Sequence, residues 1–514
     1  MLSNNVLIGI LVFLYVFYYF IVKRLNYWKN RNVPYPKPLV LLGNYKDHIF
    51  LRKNLIFVTD EICKQFPNES YIGTLYGTEP TLIVKDPNLL KLIMTKDFYY
   101  FNGREVTQYN TREELTNNMF FHSGDKWKVV RQNLTPLFTS MKMKKMFHLV
   151  KDIGDSFEKI LEDELKSSSD VEIKSFLVKY TLECILSCGF GISGKLLEKG
   201  NKKDDNVFFM IGSSIFDSSP SRGMKQVFRS IWPKLFYGIG LNVFDPKIFA
   251  MFKNLIAEVF QSRLSEQSNR NDFVDLILSW KKEHYIYGDS LNPNSEKYKK
   301  ISIEVTNELL IPQCVLFFAA GFETTSTTLS FLMYELSKHR DVQDRLIEEV
   351  DNYYKKHNGV VEYECIGEMP YLDACIDEVL RLYPVLGVVA REVMEDYTLP
   401  TGLKLEKGNR IHIPLYHIHR DPKFFPNPEE FRPDRFFGEE RKNIVPYSFM
   451  PFGEGPRICI GQRFAKMVMY NLILKIFKKY RIESSSLTPK SLEFNNISLV
   501  TQCNTSIYVK LVER

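Results

Sequence analysis

PFGEGPRICIG, residues 451–461, sets one cysteine among three glycines and two prolines. Glycine opens positive φ and close backbone approach, whereas proline fixes φ and removes a donor. Gly453, Gly455 and Gly461, with Pro451 and Pro456, describe an irregular path that makes sense only for a loop held against something. The next stretch, QRFAKMVMYNLILKIFKKY, has helical character, so Cys459 falls just before a helix N-terminus. Free amides and the helix dipole favour an anion there. With Arg457 two residues upstream, the expectation is a lowered thiol pKa and a thiolate. Such a sulfur is a nucleophile or a metal ligand, and a buried cysteine in a glycine-rich turn is the plainer alternative. No second ligand stands nearby at metal spacing, which leaves a cofactor that needs one protein ligand. Haem iron is such a metal.

The rest of the chain bounds these options. It has 514 residues, 45% of them apolar and 14% aromatic, which excludes a disordered protein and allows a large core. The net charge of +7 comes from scattered basic residues, which argues against nucleic-acid binding. Eight cysteines (Cys63, Cys184, Cys188, Cys314, Cys365, Cys375, Cys459 and Cys503) include no CxxC pair. Neither a zinc cluster nor a disulfide framework is expected, and most of the thiols read as reduced core residues.

VLIGILVFLYVFYYFIV, residues 6–22, carries no charge and no proline. With Ser3 to Asn5 it gives about 20 residues, or roughly 30 Å as a helix, enough to span a bilayer. A cleaved signal peptide fits less well: no basic residue precedes the run and no small-residue cleavage site follows. Lys23, Arg24, Lys29 and Arg31 follow instead, which keeps the remainder cytoplasmic by the positive-inside rule. The expected division is a membrane anchor over 1–22, a basic, proline-rich hinge over 23–44 and one domain over 45–514. Pro34, Pro36 and Pro38 predict a stiff extended spacer in that hinge. Residues 70–87 read as two short strands joined by a turn containing Gly77 and Pro80, 385–416 as a second strand region, and 504–512 as a terminal strand. Helical patterns dominate from about residue 88, so the fold class is mainly α with a small β portion.

FMPFGEGPRICIG resembles the haem-binding loop of the cytochrome P-450 family, and Phe452, Gly455, Arg457, Cys459 and Gly461 all match. The resemblance implies that Cys459 is the axial haem ligand and that Arg457 binds a haem propionate. It also implies that Phe452 packs near the sulfur and that Gly461 lets the helix approach the porphyrin. AAGFETT, residues 319–325, is similar to the family's oxygen-binding helix, which gives Gly321 and Thr324 places beside the iron and Glu323 a part in proton relay. Gly321 asks for a reason in its own right, since glycine inside a helix costs about 1 kcal/mol relative to alanine. Glu378 and Arg381 match the family's ExxR pair and Arg435, in FRPDRF, its partner. The resemblance makes these three a charge network supporting the cysteine loop. Trp127 and Arg131, four apart on one helical face, and Arg391 are similar to the family's propionate-binding residues.

The motifs follow one another in the family's order along essentially the whole chain, with the weakest matches at 101–122 and 200–250. They look most like the insect microsomal branch that handles foreign compounds and hormones. That likeness implies the cytochrome P-450 fold, haem b and a monooxygenase of the endoplasmic reticulum membrane acting on lipophilic small molecules. A haem-thiolate isomerase or dehydratase and a non-catalytic haem carrier or gas sensor are the alternatives; Thr324 favours the monooxygenase. No GxGxxG flavin fingerprint occurs, so electrons have to come from a partner. The resemblance names it as NADPH-cytochrome P-450 reductase, with cytochrome b5 as a second donor. Lys142, Lys144, Lys145, Arg463 and Lys466 are candidates for a basic docking face. Phe318, Phe322, Val385, Leu386, Val388 and Val389 are candidates for the substrate pocket, and 207–216 and 227–241 for membrane-dipping segments.

Overall fold

The computed structural model describes residues 4–198, 206–265, 272–292 and 300–514. Residues 1–3 of the expected anchor and 200–205 of the weakly matching stretch lie outside these ranges. Helix α1 (Asn4–Leu25) is followed by the strands β1 (Tyr71–Tyr76) and β2 (Glu79–Val84). Next come α2 (Gly124–Leu134), α3 (Ser140–Leu165), β3 (Asp170–Glu172) and α4 (Ile173–Ile185). The series continues through α5 (Val207–Ile215), α6 (Pro220–Ile231), α7 (Pro233–Gly238), α8 (Pro246–Ser265) and α9 (Phe273–Glu283). A hairpin of β4 (Tyr285–Asp289) and β5 (Lys300–Glu304) precedes the long α10 (Asn307–Lys338), α11 (Arg340–Lys356) and α12 (Pro370–Leu382). The strands β6 (Val389–Glu392), β7 (Tyr397–Thr398), β8 (Lys404–Leu405) and β9 (Arg410–Ile413) lead to α13 (Gln462–Lys479), β10 (Tyr480–Glu483) and β11 (Tyr508–Glu513). The mainly helical reading, the strand pair at 70–87 and the terminal strand all appear.

The main sheet runs β1-β2-β9-β6, antiparallel except for the parallel β2–β9 pair. Its register sets Val389 opposite Ile413 and Arg391 opposite Ile411, so a slip of one residue would turn Arg391 to the other face. Pro80 lies inside β2, opposite Leu75, rather than in the turn; the parallel ladder to β9 starts one residue later, at Thr81, so the missing amide costs nothing.

Among the described residues, the helix that is long and apolar enough to cross a membrane is α10, and 78% of its most apolar window is buried. It is a core helix, wedged closely against α4. A Cβ at Gly321 would come 2.6 Å from Ile185 Cδ1, and this close approach is the structural reason for that glycine. On α1 the described apolar side chains Ile8, Leu11, Val12 and Tyr15 are exposed. The proline stretch after it is no free-standing spacer. Pro34 O accepts from Gly73 N at 2.8 Å, Pro36 O accepts from Asn44 Nδ2 at 2.9 Å, and the buried Trp28 donates its indole N–H to Thr74 O at 2.7 Å.

Candidate functional site

The cysteine loop owes its shape to the glycines. Gly453 and Gly455 have φ of +76° and +69°, and a Cβ at Gly455 would overlap the carbonyl of Met94. Cys459 N donates to Phe452 O at 2.8 Å, closing the loop, and half-buried Phe452 packs against the main core. Gly461 is the N-cap of α13 and offers no side-chain cap, so its own amide and that of Gln462 turn to the Cys459 thiol.

The thiol is accessible to solvent yet set deep in the molecule. Burial pushes its pKa up; the Gly461 and Gln462 amides, Arg131 and Arg104 pull the other way without overcoming it. The expected lowering by Arg457 is corrected here. That guanidinium points away, donating to Phe120 O at 3.1 Å and to His122 O, and stacks over the Trp127 ring at 4.8 Å.

Arg457 belongs to a cluster. Arg104, Arg131, Arg391 and Arg457 interact electrostatically, and burial holds each guanidinium below its usual pKa, Arg391 at about 10. Beside burial, Arg457 is depressed further by Arg104, Arg391 and Arg131 in turn. The Nε atoms of Arg104, Arg391 and Arg457 are buried without a partner. Arg131, on α2, donates to Ile458 O at 2.8 Å, and buried Trp127 lies one turn earlier. Four desolvated guanidiniums, three of them with an unused Nε donor, fit a ligand bearing two carboxylates, and the thiol beside them fits a centre that takes a sulfur, which together is the chemistry of a haem. Arg104 was missed by sequence reading, since it lies where the motifs match least.

The Cytochrome P450 family profile matches residues 33–510. The chain belongs to the cytochrome P450 family. Cytochrome P450 6B7 of Helicoverpa armigera is 36% identical over 506 residues, covering 98% of this chain and 97% of its own length. Cytochrome P450 6B1 of Papilio polyxenes is 34% identical over 503 residues, 97% of each chain. Probable cytochrome P450 6a14 of Drosophila melanogaster is 32% identical over 505 residues, 96% of each. The expected family and insect branch both stand, and with them a haem-thiolate cofactor and monooxygenase activity.

In this P450 the ExxR pair is fully buried and bidentate: Arg381 Nε to Glu378 Oε2 at 2.7 Å and Nη2 to Oε1 at 2.8 Å. Arg381 also donates to His419 O, Pro428 O and Glu430 O, while Glu378 Oε1 accepts from Arg432 N at 2.8 Å and Arg435 Nε at 3.3 Å. The three residues come together as one network, and His419 Nε2 in turn accepts from Met450 N at the start of the cysteine loop.

On α10, Leu316, Ala320 and Thr324 form an accessible stripe at i, i+4, i+8 in the middle of an otherwise buried helix. Thr324 Oγ1 donates to Ala320 O at 2.8 Å. Buried Glu323 is held by Gln502 Nε2 at 2.6 Å and Lys174 Nζ at 3.3 Å. The expectation for Phe318 and Phe322 is corrected. Both are buried on the opposite side of α10, Phe318 against Phe190 and Phe252, Phe322 against Phe216. Leu316 and Ala320 share the accessible side with Thr324. Val385, Leu386 and Val388 are half-buried, whereas Val389 is buried in the core of the main sheet. Of the basic docking candidates, Lys144 is paired with Glu364 and Lys466 with Asp373, which reduces the patch; Lys145 and Arg463 remain exposed and Lys142 half-buried. A cavity of about 1030 Å³ is lined by residues between 106 and 109, between 232 and 239 and, from the main-sheet side, by Glu79, Glu392 and Glu406 to Arg410; one of about 590 Å³ lies between Leu115 and residues 214–249; neither is lined by Cys459 or Thr324.

Proposed function

We propose that this P450 is anchored in the endoplasmic reticulum membrane, takes electrons from an NADPH-dependent reductase and inserts one atom of O2 into lipophilic small molecules. The observation that carries the reading is the cluster of four arginines, Arg391 and Arg457 buried and Arg104 and Arg131 half-buried, around an accessible cysteine thiol. In this reading Cys459 would ligate the haem iron, and Arg104, Arg131, Arg391, Arg457 and Trp127 would hold the propionates. Haem bound there would supply activation of O2 with two electrons and two protons. The amides of Gly461 and Gln462 hold the sulfur, and Glu378, Arg381 and Arg435 keep its loop in place. Thr324 Oγ1, on the accessible stripe, holds a proton at the reacting face. Glu323, held by Gln502 Nε2 and Lys174 Nζ, takes part in relaying protons to it. Leu316, Ala320, Val385, Leu386 and Val388 exclude water and present the C–H bond to be oxidised.

The exposed apolar side chains of α1, followed by Lys23, Arg24, Lys29 and Arg31, support a single anchor with the domain on the cytoplasmic side. Trp232, Leu235 and Ile239, exposed around α7, support contact of 227–241 with the same membrane. Lys142, Lys145 and Arg463 support a basic docking face for the reductase and cytochrome b5, and turnover should slow as salt rises.

The decisive experiment is the reduced carbon monoxide difference spectrum of microsomes carrying the wild type or Cys459→Ala, followed by NADPH-dependent oxidation of a lipophilic panel with added reductase. A thiolate-type Soret band and turnover in the wild type alone are expected. Equal spectra and rates would refute the assignment of Cys459.

A further inference from the structure

Residues 106–119 and 237–244 form two facing walls, and the first is tied directly to α10. On the first wall, Met119 N donates to Gln313 Oε1 at 2.8 Å and Asn117 Nδ2 to Glu308 O at 2.9 Å. The second wall comes after α5, which packs on the other side of α10, where a Cβ at Gly212 would sit 2.7 Å from the Phe322 ring.

Away from α10, one carboxylate joins the walls. Glu113 is only 5% exposed. Its Oε1 accepts from Tyr237 Oη at 2.9 Å, and its Oε2 accepts from Val243 N and Phe244 N, each at 3.0 Å. All three donors come from the opposite wall. The Tyr237 ring also stacks on Tyr109 of the first wall, with centroids 5.5 Å apart and planes 15° from parallel. Arg222 and Arg229 lie within electrostatic reach of this group. The two cavities flank the strut. The larger is lined by Val106, Tyr109, Leu235 and Ile239, and the smaller by Leu115, Asn242, Val243 and Phe244. A buried carboxylate with three donors on a separate segment is a strong and directional tie, and parting the walls means losing all three charge-assisted bonds together.

We infer that Glu113 is a specificity-determining residue, a latch that keeps the two cavities apart and limits the bulk of the molecules admitted to the oxidation site. Small molecules pass the closed latch, and bulky ones wait for it to release. The inference rests on the haem reading only for what lies behind the latch.

The test uses the full-length holoenzyme as wild type, Glu113→Gln, Glu113→Ala and Tyr237→Phe. Imidazole and 1-(triphenylmethyl)imidazole are the small and bulky probes, followed by the Soret change in a stopped-flow mixer. Glu113→Ala should raise the association rate constant of the bulky probe about tenfold and leave that of imidazole within about twofold, since gating by a conformational change lowers association rates. Tyr237→Phe, which removes one donor, gives the same asymmetry in smaller measure and serves if Glu113→Ala does not fold. Hydrogen exchange at the Val243 and Phe244 amides should quicken in both Glu113 variants. Equal rates for both probes across the variants, or unchanged protection of those amides, would overturn the latch. A wild-type chain that takes up no haem would instead sink the site reading, and the exchange comparison would still judge Glu113.

Discussion

Arg391→Met should shift the stability of the apoprotein and of the haem-bound protein in opposite directions. The Arg391 side chain is 1% exposed, its Nη1 reaches only the carbonyl of its neighbour Ala390, and its Nε has no partner. Burial alone holds its pKa at about 10 instead of 12.5. That difference corresponds to roughly 3 kcal/mol of unfavourable burial of the charge at neutral pH. Methionine keeps much of the volume and removes the charge, and such replacements of buried charges stabilise by about 1–4 kcal/mol. The apoprotein should therefore gain about 1–3 kcal/mol, read as a raised urea midpoint with unchanged slope. With haem bound, the same change removes a charge-assisted bond to a propionate, worth about 1.5–3 kcal/mol. Haem transfer to an acceptor apoglobin should quicken by about ten- to a hundredfold. An apoprotein destabilised by Arg391→Met would refute the argument that these guanidiniums are held in place for a ligand's carboxylates.

Glu378→Ala leaves Arg381 and Arg435 buried without their carboxylate and should cost about 3–5 kcal/mol, seen as loss of soluble haem-containing protein; a wild-type yield and melting temperature would contradict the network. Gly455→Ala sets a Cβ against the Met94 carbonyl at a φ of +69°, so the cysteine loop should shift and the carbon monoxide complex should lose its thiolate-type Soret band. Acid should destabilise the fold. Burial holds His122 and His419 down at about 3 and His48 at about 4, so between pH 6.5 and 4 the unfolded chain binds three protons that the folded one refuses. Asp377, raised to about 6 by burial and by Asp373, works the other way between 6 and about 4, leaving two protons net and a loss of about 2.7 kcal/mol per pH unit. A urea midpoint at pH 5 no lower than at pH 7 would refute this balance.

The readable parts of the site were those whose chemistry is local in the chain. The glycines and the cysteine of 451–461, the i,i+3 pair Glu378–Arg381 and the strand pair at 70–87 all act within a few residues of themselves. Tertiary facts were not readable. Arg104 joins the other arginines only because Gly103 bridges to Glu392 on the strand that carries Arg391. Periodicity identifies α10 but not which of its sides stays accessible, so Phe318 and Phe322, on the buried side, read as pocket candidates. For Cys459 the nearest charge in sequence was visible, while the burial that outweighs every nearby charge was not. Lys144 and Lys466 read as free cations because their partners, Glu364 and Asp373, lie far away along the chain.

The fastening of Trp28 to the main sheet has a practical side. Besides its indole bond to Thr74, Tyr27 Oη donates to Glu406 at 3.0 Å, and Arg31 pairs with the same carboxylate at 2.5 Å. Thr74 of β1 and Glu406, between β8 and β9, therefore grip the chain within three residues of the end of α1, leaving no slack between that helix and the body. A trimmed version for crystallisation has to start no later than Asn26. Cutting at the prolines, the conventional choice for a flexible neck, would strip an indole out of the interior and expose the Gly73 surface it covers.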